Sequence, residues 1–171
     1  MKENFEKALS FVVKHEGGYV SNKKERANLG VKQRVYEEWA GRKVDEAEMK
    51  ALSIEAVTPL YKRLYWHVVR ADSLPSGIDY YLFDSAVMHG TRQAVKWLQN
   101  SLGCFDSGVV DLTTLSRTIL RDPVEIIKEM GQLRLSYLQK TPTWSTQGKN
   151  WSKRLEEVED NALSFTKVAD E

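Results

Sequence analysis

Phe5, Ala8, Leu9, Val12 and Val13 recur at three- and four-residue steps, the spacing that gathers side chains on one face of an α-helix. That rhythm returns along most of the chain and restricts it to folds built by packing helices. Gly17-Gly18 stop the first helix, because glycine tolerates the left-handed backbone common just past a helix end. A polar loop from Ser21 to Asn28 follows, and Val31, Val35 and Trp39 mark a second helical stretch. Asp45-Glu46-Ala47-Glu48 has capping-box spacing and opens a short helix through Leu52. Thr58-Pro59 predicts a cap with proline at the first helical position, and Leu60, Tyr61, Leu64 and Tyr65 form the buried face. Ile78 to Val87 is a further apolar helix stopped by Gly90, and Thr91 caps the next through Leu102. Asp122-Pro123 repeats the cap-plus-proline signal ahead of Val124, Ile127 and Met130. Thr141 to Asn150 reads as a loop, and a last helix runs from about Trp151 to Phe165. The one strand candidate is Val109-Val110. The expected fold class is all-α or mostly α.

At 171 residues the chain predicts a single compact unit, residues 1–171, large enough for one hydrophobic core. Apolar residues make up 42% and charged residues 29%, which excludes wholesale disorder. Twenty-five basic side chains balance 24 acidic ones, so no net field draws the chain to nucleic acid. Cys104 stands alone and there are three histidines, which leaves no disulfide framework or zinc motif, and no metal or cofactor is expected. Lys2, Glu3, Glu6, Lys7 and Lys14 interrupt the start, so no signal-peptide core is expected, and no run reaches the ~18 apolar residues of a membrane span. A monomer made in the cytoplasm is the expectation.

Glu16 is the most informative position. It lies three residues after Val13 and seven after Leu9, on the apolar stripe of the first helix rather than its solvent face. It also sits at the helix C-terminus, where the dipole's negative end disfavours a carboxylate. Burial and dipole both favour the protonated acid, which glycosidases use to donate a proton to a leaving oxygen. Gly17-Gly18 beside it let a substrate approach the backbone. From periodicity alone, a glutamate in a last helical turn before Gly-Gly is usually just solvated, and a lone histidine such as His15 is more often a hydrogen-bonded structural residue than a base. Glu25 offers a second carboxylate on the following loop.

Phe5-Glu6-Lys7-Ala8-Leu9 running into His15-Glu16-Gly17-Gly18-Tyr19-Val20 resembles the opening of glycoside hydrolase family 108, the lysozyme-like N-acetylmuramidases found among phage endolysins. Leu60-Tyr61 through Tyr65-Trp66, the turn Asp72-Ser73-Leu74-Pro75, and Phe83-Asp84-Ser85-Ala86-Val87 with His89-Gly90 resemble its next segments. Gln99-Asn100-Ser101-Leu102-Gly103 with Asp106 and Gly108 is similar to a small peptidoglycan-binding segment. Arg134-Leu135-Ser136-Tyr137, then Gly148-Lys149-Asn150-Trp151 and Arg154, resemble its closing stretch.

The resemblance implies a lysozyme-like helical globule, with residues 1–90 catalytic and 91–165 peptidoglycan-binding. It implies cleavage of the β-1,4 bond between N-acetylmuramic acid and N-acetylglucosamine, with bacterial peptidoglycan as the partner. Glu16 corresponds to the family's catalytic glutamate and Glu25 is the candidate second acid. Tyr19, Asn28, His89 and Trp151 are the expected substrate-binding residues, with Tyr19 and Trp151 as ring faces for sugar stacking and Trp144 in reach of substrate. A phage member made without a signal peptide would reach the periplasmic wall by holin-dependent release or delivery in the virion. Ser21 to Val31 departs from the family's usual loop, Asp-Pro-Gly-Gly-x-Thr-x-x-Gly-Ile: Ala27 stands at the threonine and no aspartate remains. Met88 replaces a common asparagine, and Asp111-Leu112 replace a Gly-Pro. Two alternatives therefore stay open beside an active muramidase: a catalytically degenerate wall-binding or virion module, and a helical partner-binding protein.

Overall fold

The computed structural model describes residues 4–22 and 25–168. Lys2, Glu3, Lys23 and Lys24, which enter the sequence reading, lie outside the described residues. The fold is mostly α, as expected, with one small sheet. Two compact units are present, residues 6–64 and residues 4–5 with 65–168.

In residues 6–64, α1 (Phe5–Glu16) leads into a three-stranded antiparallel sheet of β1 (Val20–Ser21), β2 (Arg26–Asn28) and β3 (Val31–Lys32). The register sets Val20 against Ala27, Ser21 against Arg26, Ala27 against Lys32 and Asn28 against Val31. This sheet corrects the reading of Ser21–Asn28 as plain loop. Strands of two or three residues are too short to show alternation, so the only local sign of them is the turn: Leu29 and Gly30 both have positive φ, 50° and 76°, as a type I′ hairpin requires. Val31 accordingly belongs to β3, and α2 (Gln33–Ala40) begins after it.

Asp45 caps α3 (Glu46–Lys50) by accepting from the Glu48 N–H. In α4 (Ile54–Tyr61) the expected start is displaced. Ser53, not Thr58, is the cap, accepting from the Ala56 N–H at 3.2 Å, and Pro59 lies inside the helix. The Thr58 hydroxyl instead donates back to the Ile54 carbonyl at 2.7 Å. An earlier polar cap outcompetes a proline signal because it satisfies otherwise unpaired N–H groups. The chain continues through a π-helical turn, Lys62–Trp66.

In the other unit α5 (Ile78–His89) is buried on every side from Ile78 to Ala86, the mark of a central helix. It contacts α6 (Thr91–Ser101), α8 (Pro123–Gln139) and α9 (Trp144–Val168). Thr91 is the first residue of α6 rather than its cap, which is Gly90. The segment Leu112–Ile119 forms α7, capped by Asp111. Val109-Val110 is not a strand: the two carbonyls accept from Gln99 and Arg70 side chains instead of from a neighbouring backbone. Asp122 caps α8 by accepting from the Val124 N–H at 2.9 Å, as the sequence predicts. α9 begins at Trp144, seven residues ahead of the expected Trp151. Gly148, taken as a loop residue, serves this helix by staying small. A methyl there would sit 2.8 Å from the Trp144 ring, which lies over it one turn back.

Motifs far apart in sequence meet at one buried charge. Asp84 on α5 is fully buried and pairs with Arg134 on α8 at 2.7 Å and Arg154 on α9 at 3.0 Å. Burial opposes its ionised form, yet the two guanidiniums hold its carboxyl below the usual carboxylate range. Arg134 also donates to the Ser85 hydroxyl and to His89 Nε2.

Candidate active site

Glu16 ends α1 half-buried. Immediately after it the Gly17 N–H closes the helix on the Val13 carbonyl at 3.1 Å, and Gly17 has φ +78°. Among the described residues, nothing lies within 4 Å of where a side chain on Gly17 or Gly18 would sit. The backbone that follows Glu16 is therefore uncovered.

The stem of Glu16 is packed. A methyl on Gly30, in the β2–β3 turn, would stand 2.7 Å from Glu16 Cγ, 2.8 Å from Glu16 Cβ and 2.5 Å from the Tyr61 hydroxyl. The Glu16 stem thus rests directly on the bare turn. The Tyr61 hydroxyl donates to the Leu29 carbonyl at 2.8 Å and fixes that turn. Asn28, buried at 5% exposure, fastens the hairpin from the opposite end: its amide donates to the Met49 and Lys50 carbonyls at the end of α3. Gly30 and Tyr61 are site residues that sequence reasoning missed. The glycine at the hairpin turn was the available signal for one. Nothing local marks Tyr61, which reaches its partner across 32 positions.

Glu25 takes a different place. Its N–H donates to Asn22 Oδ1 and its carbonyl accepts from the Asn22 N–H, closing the turn between β1 and β2. Its exposed carboxylate pairs with Lys32 at 3.1 Å. It lines a polar groove of about 490 Å³ with Ser21, Asn22, Arg26, Gln33, Arg34, Glu37 and Lys43, and Glu16 is not part of that lining. In this groove the Lys43 ammonium, then the Val44 N–H and Gln33, hold the Glu37 carboxyl below its ordinary range. Tyr19 is half-buried and carries the Lys50 ammonium over its ring at 5.3 Å. Lys50 in turn pairs with Glu46 at 2.8 Å, holding that carboxyl low.

His89 and Trp151 lie in the other unit. The His89 ring stands edge-to-face against Trp97 at 5.1 Å and Tyr137 at 5.9 Å. Burial first, and then the Arg134 charge, push its pKa down to about 4, so its Nε2 is free to accept from Arg134 Nε at 3.1 Å. Trp151 is half-buried and tilted against Trp144, ring centroids 6.3 Å apart, so that α9 presents two indoles near its start. Among the described residues no group of three His, Cys, Asp or Glu side chains is placed to hold a metal ion, and no helix is long and apolar enough to cross a membrane.

The model of the family described as Glycosyl hydrolase 108 matches residues 9–90, which hold Glu16, Gly30 and Tyr61. The chain is also similar to Brucella abortus SagA, with 37% identity, a TM-score of 0.86 and coverage of 97% of each chain. The chain belongs to glycosyl hydrolase family 108. No curated protein matches it. Membership of family 108 assigns it glycoside hydrolase chemistry and supports peptidoglycan hydrolysis in general. It also makes a carboxyl group that can protonate a glycosidic oxygen the feature to look for, since that is the step such enzymes share.

Proposed function

We propose that this family 108 protein is an N-acetylmuramidase in which Glu16 protonates the glycosidic oxygen between N-acetylmuramic acid and N-acetylglucosamine. One observation carries the reading: the Glu16 stem is wedged against Gly30 while the space beside Gly17 and Gly18 is open. A glutamate stem fixed beside uncovered backbone suits a general acid, which must hold its proton within hydrogen-bond reach of the leaving oxygen. A second group then activates water or steadies the oxocarbenium-like transition state.

Residues 1–90 carry the chemistry in this proposal, and residues 91–165 hold the wall, with Trp151 beside Trp144 offering half-exposed ring faces for sugar. Tyr19 and Asn28 are the proposed substrate residues of the unit that holds Glu16, Asn28 by holding the hairpin against α3, and His89 is proposed as a substrate contact of the other unit by itself. Deployment as a phage-type endolysin, released through a membrane pore or carried in the virion, belongs to the same proposal and is supported by the motif resemblance.

Replacing Glu16 by Gln keeps size and polarity and removes only the transferable proton. The expected result is a loss of reducing-end release from purified peptidoglycan by roughly 10²–10⁴-fold, with an unchanged circular dichroism spectrum. Cleavage by Glu16→Gln at the parental rate overturns the reading. Glu25→Gln, run in parallel, tests the second-carboxylate role: a comparable loss assigns it, and full activity removes it.

A second reading has one specific observation in its favour. Glu25 is engaged by Lys32 and lines a groove that Glu16 does not share, which fits a degenerate relative that binds wall without cutting it. Co-sedimentation with insoluble peptidoglycan and no reducing ends at high protein concentration would select this one.

A further inference from the structure

Type I′ hairpin turns favour Asn-Gly or Asp-Gly, because both central residues need positive φ. Here the first central residue is Leu29, with φ 50°, in the left-handed region where a leucine Cβ crowds the following carbonyl. Strain of this kind persists only where the surroundings over-determine it, and it gathers at functional sites. Two side chains grip this turn. Asn28, the residue before, is tied to the Met49 and Lys50 carbonyls at 2.9 and 3.2 Å. Leu29 is held through its own carbonyl, which accepts from the Tyr61 hydroxyl at 2.8 Å.

That carbonyl leads straight into Gly30. Where a methyl on Gly30 would sit, Glu16 Cγ and Cβ lie 2.7 and 2.8 Å away and the Tyr61 hydroxyl 2.5 Å. Hydroxyl, turn and Glu16 stem therefore meet at one bare position. Tyr61 is only 1% exposed and closes α4 beside Val57 and Leu60, both buried. A phenol so enclosed does not touch substrate, and whatever it does for Glu16 passes through the turn.

We propose that Tyr61 is a positioning residue for Glu16, its hydroxyl holding Leu29 in the left-handed conformation that keeps Gly30 seated under the Glu16 stem. Without the hydroxyl, Leu29 relaxes toward the negative φ that leucine prefers. The Leu29–Gly30 peptide then turns, and the stem loses the surface that fixes it. This role rests on the reading of Glu16 as general acid. A general acid works only within hydrogen-bond reach of the leaving oxygen, so a stem that changes rotamer spends less time in place.

Tyr61→Phe removes one oxygen and keeps the ring. Two quantities are read on the full chain, well below its melting midpoint: steady-state kinetics on soluble peptidoglycan strands, and the three-bond NMR couplings that report χ1 of Glu16. In Tyr61→Phe, kcat is expected to fall about tenfold with KM within about twofold, the pattern of a group felt in the transition state rather than in binding. The Glu16 couplings should pass from those of one rotamer to an average. Leu29→Gly supplies a residue that takes positive φ without strain. In that background, removing the hydroxyl should cost kcat less than about threefold. A hydroxyl that merely stabilised the fold would leave kcat and the Glu16 rotamer unchanged. If Tyr61→Phe fails to fold, it is compared in the Leu29→Gly background alone, where a full tenfold loss (about the size expected of the single variant) overturns the proposal. Parental kcat in Tyr61→Phe, an unchanged Glu16 rotamer, or equal losses in the two backgrounds also overturn it. Failure of the glycosidase reading looks different: Glu16→Gln then matches the parent, or neither cleaves, and the Glu16 couplings alone decide whether Tyr61 holds that side chain.

Discussion

A methyl group at Gly30 has nowhere to go. It would meet the Tyr61 hydroxyl and the first two carbons of Glu16 inside 3 Å, and Glu16 Cβ is too close to the backbone to swing aside. The positive φ of 76° adds backbone strain of about 1–2 kcal/mol for any side chain. Gly30→Ala is therefore expected to lower the thermal midpoint moderately and to cut peptidoglycan cleavage by roughly a hundredfold, the scale of a catalytic group moved by about an ångström. Activity falling far more than stability is the signature to check. His89 supports a prediction of another kind. Its pKa is depressed from 6.5 to about 4 in the fold. Between those values the unfolded chain takes up the proton and the folded one does not. The contribution is therefore complete above about pH 6.5 and is lost progressively as pH falls toward 4. Urea midpoints at pH 7.5 and 4.5 should diverge more in the parent than in His89→Gln, whereas equal divergence would show that this residue does not set the acid sensitivity.

At the scale of elements, the two proline-containing helices separate cap from proline. In α8 the pair Asp122-Pro123 does what its sequence says, with the carboxylate on the Val124 N–H. In α4 the same kind of pair, Thr58-Pro59, lies inside a helix that Ser53 already began. Ser53→Ala should cost about 1 kcal/mol by loss of the cap, while Thr58→Ala, losing only a hydroxyl bonded back into the helix, should cost a few tenths. A larger fall in denaturation midpoint for Thr58→Ala would return the helix start to that residue. The small sheet was illegible for a related reason. Its strands are too short for a period to develop, and they hold together through Tyr61 and Asn28, whose partners lie on α3 and the turn.

For the whole molecule, the motifs that carry the family resemblance divide into two physical roles. His15-Glu16-Gly17-Gly18 ends α1 on a glutamate followed by uncovered backbone. Asp84, Arg134 and Arg154, from the central and closing motifs, instead build a buried ion cluster that ties α5, α8 and α9 together. Asp84→Asn leaves two guanidiniums without their shared counter-charge, one of them fully buried. A loss of about 3–5 kcal/mol is expected, read as a drop in the urea midpoint, with any loss of cleavage tracking the unfolded fraction. Activity lost while the midpoint stays put would mean that Asp84 serves the chemistry rather than the core.

The sequence by itself determined the helical class, the helix starts at Asp45 and Asp122, and the family, because periodicity, capping and motif order are all written within a few residues of one another. It also singled out Glu16, since its place on an apolar stripe ahead of Gly-Gly is a local fact. Only the tertiary structure decided what surrounds that carboxyl. The bare turn at Gly30, the hydroxyl of Tyr61 and the pairing of Glu25 with Lys32 are contacts between segments, and such contacts leave no trace in the spacing of either segment alone. The same holds for Gly148, which reads as a loop residue until the Trp144 ring that needs its missing side chain is in place.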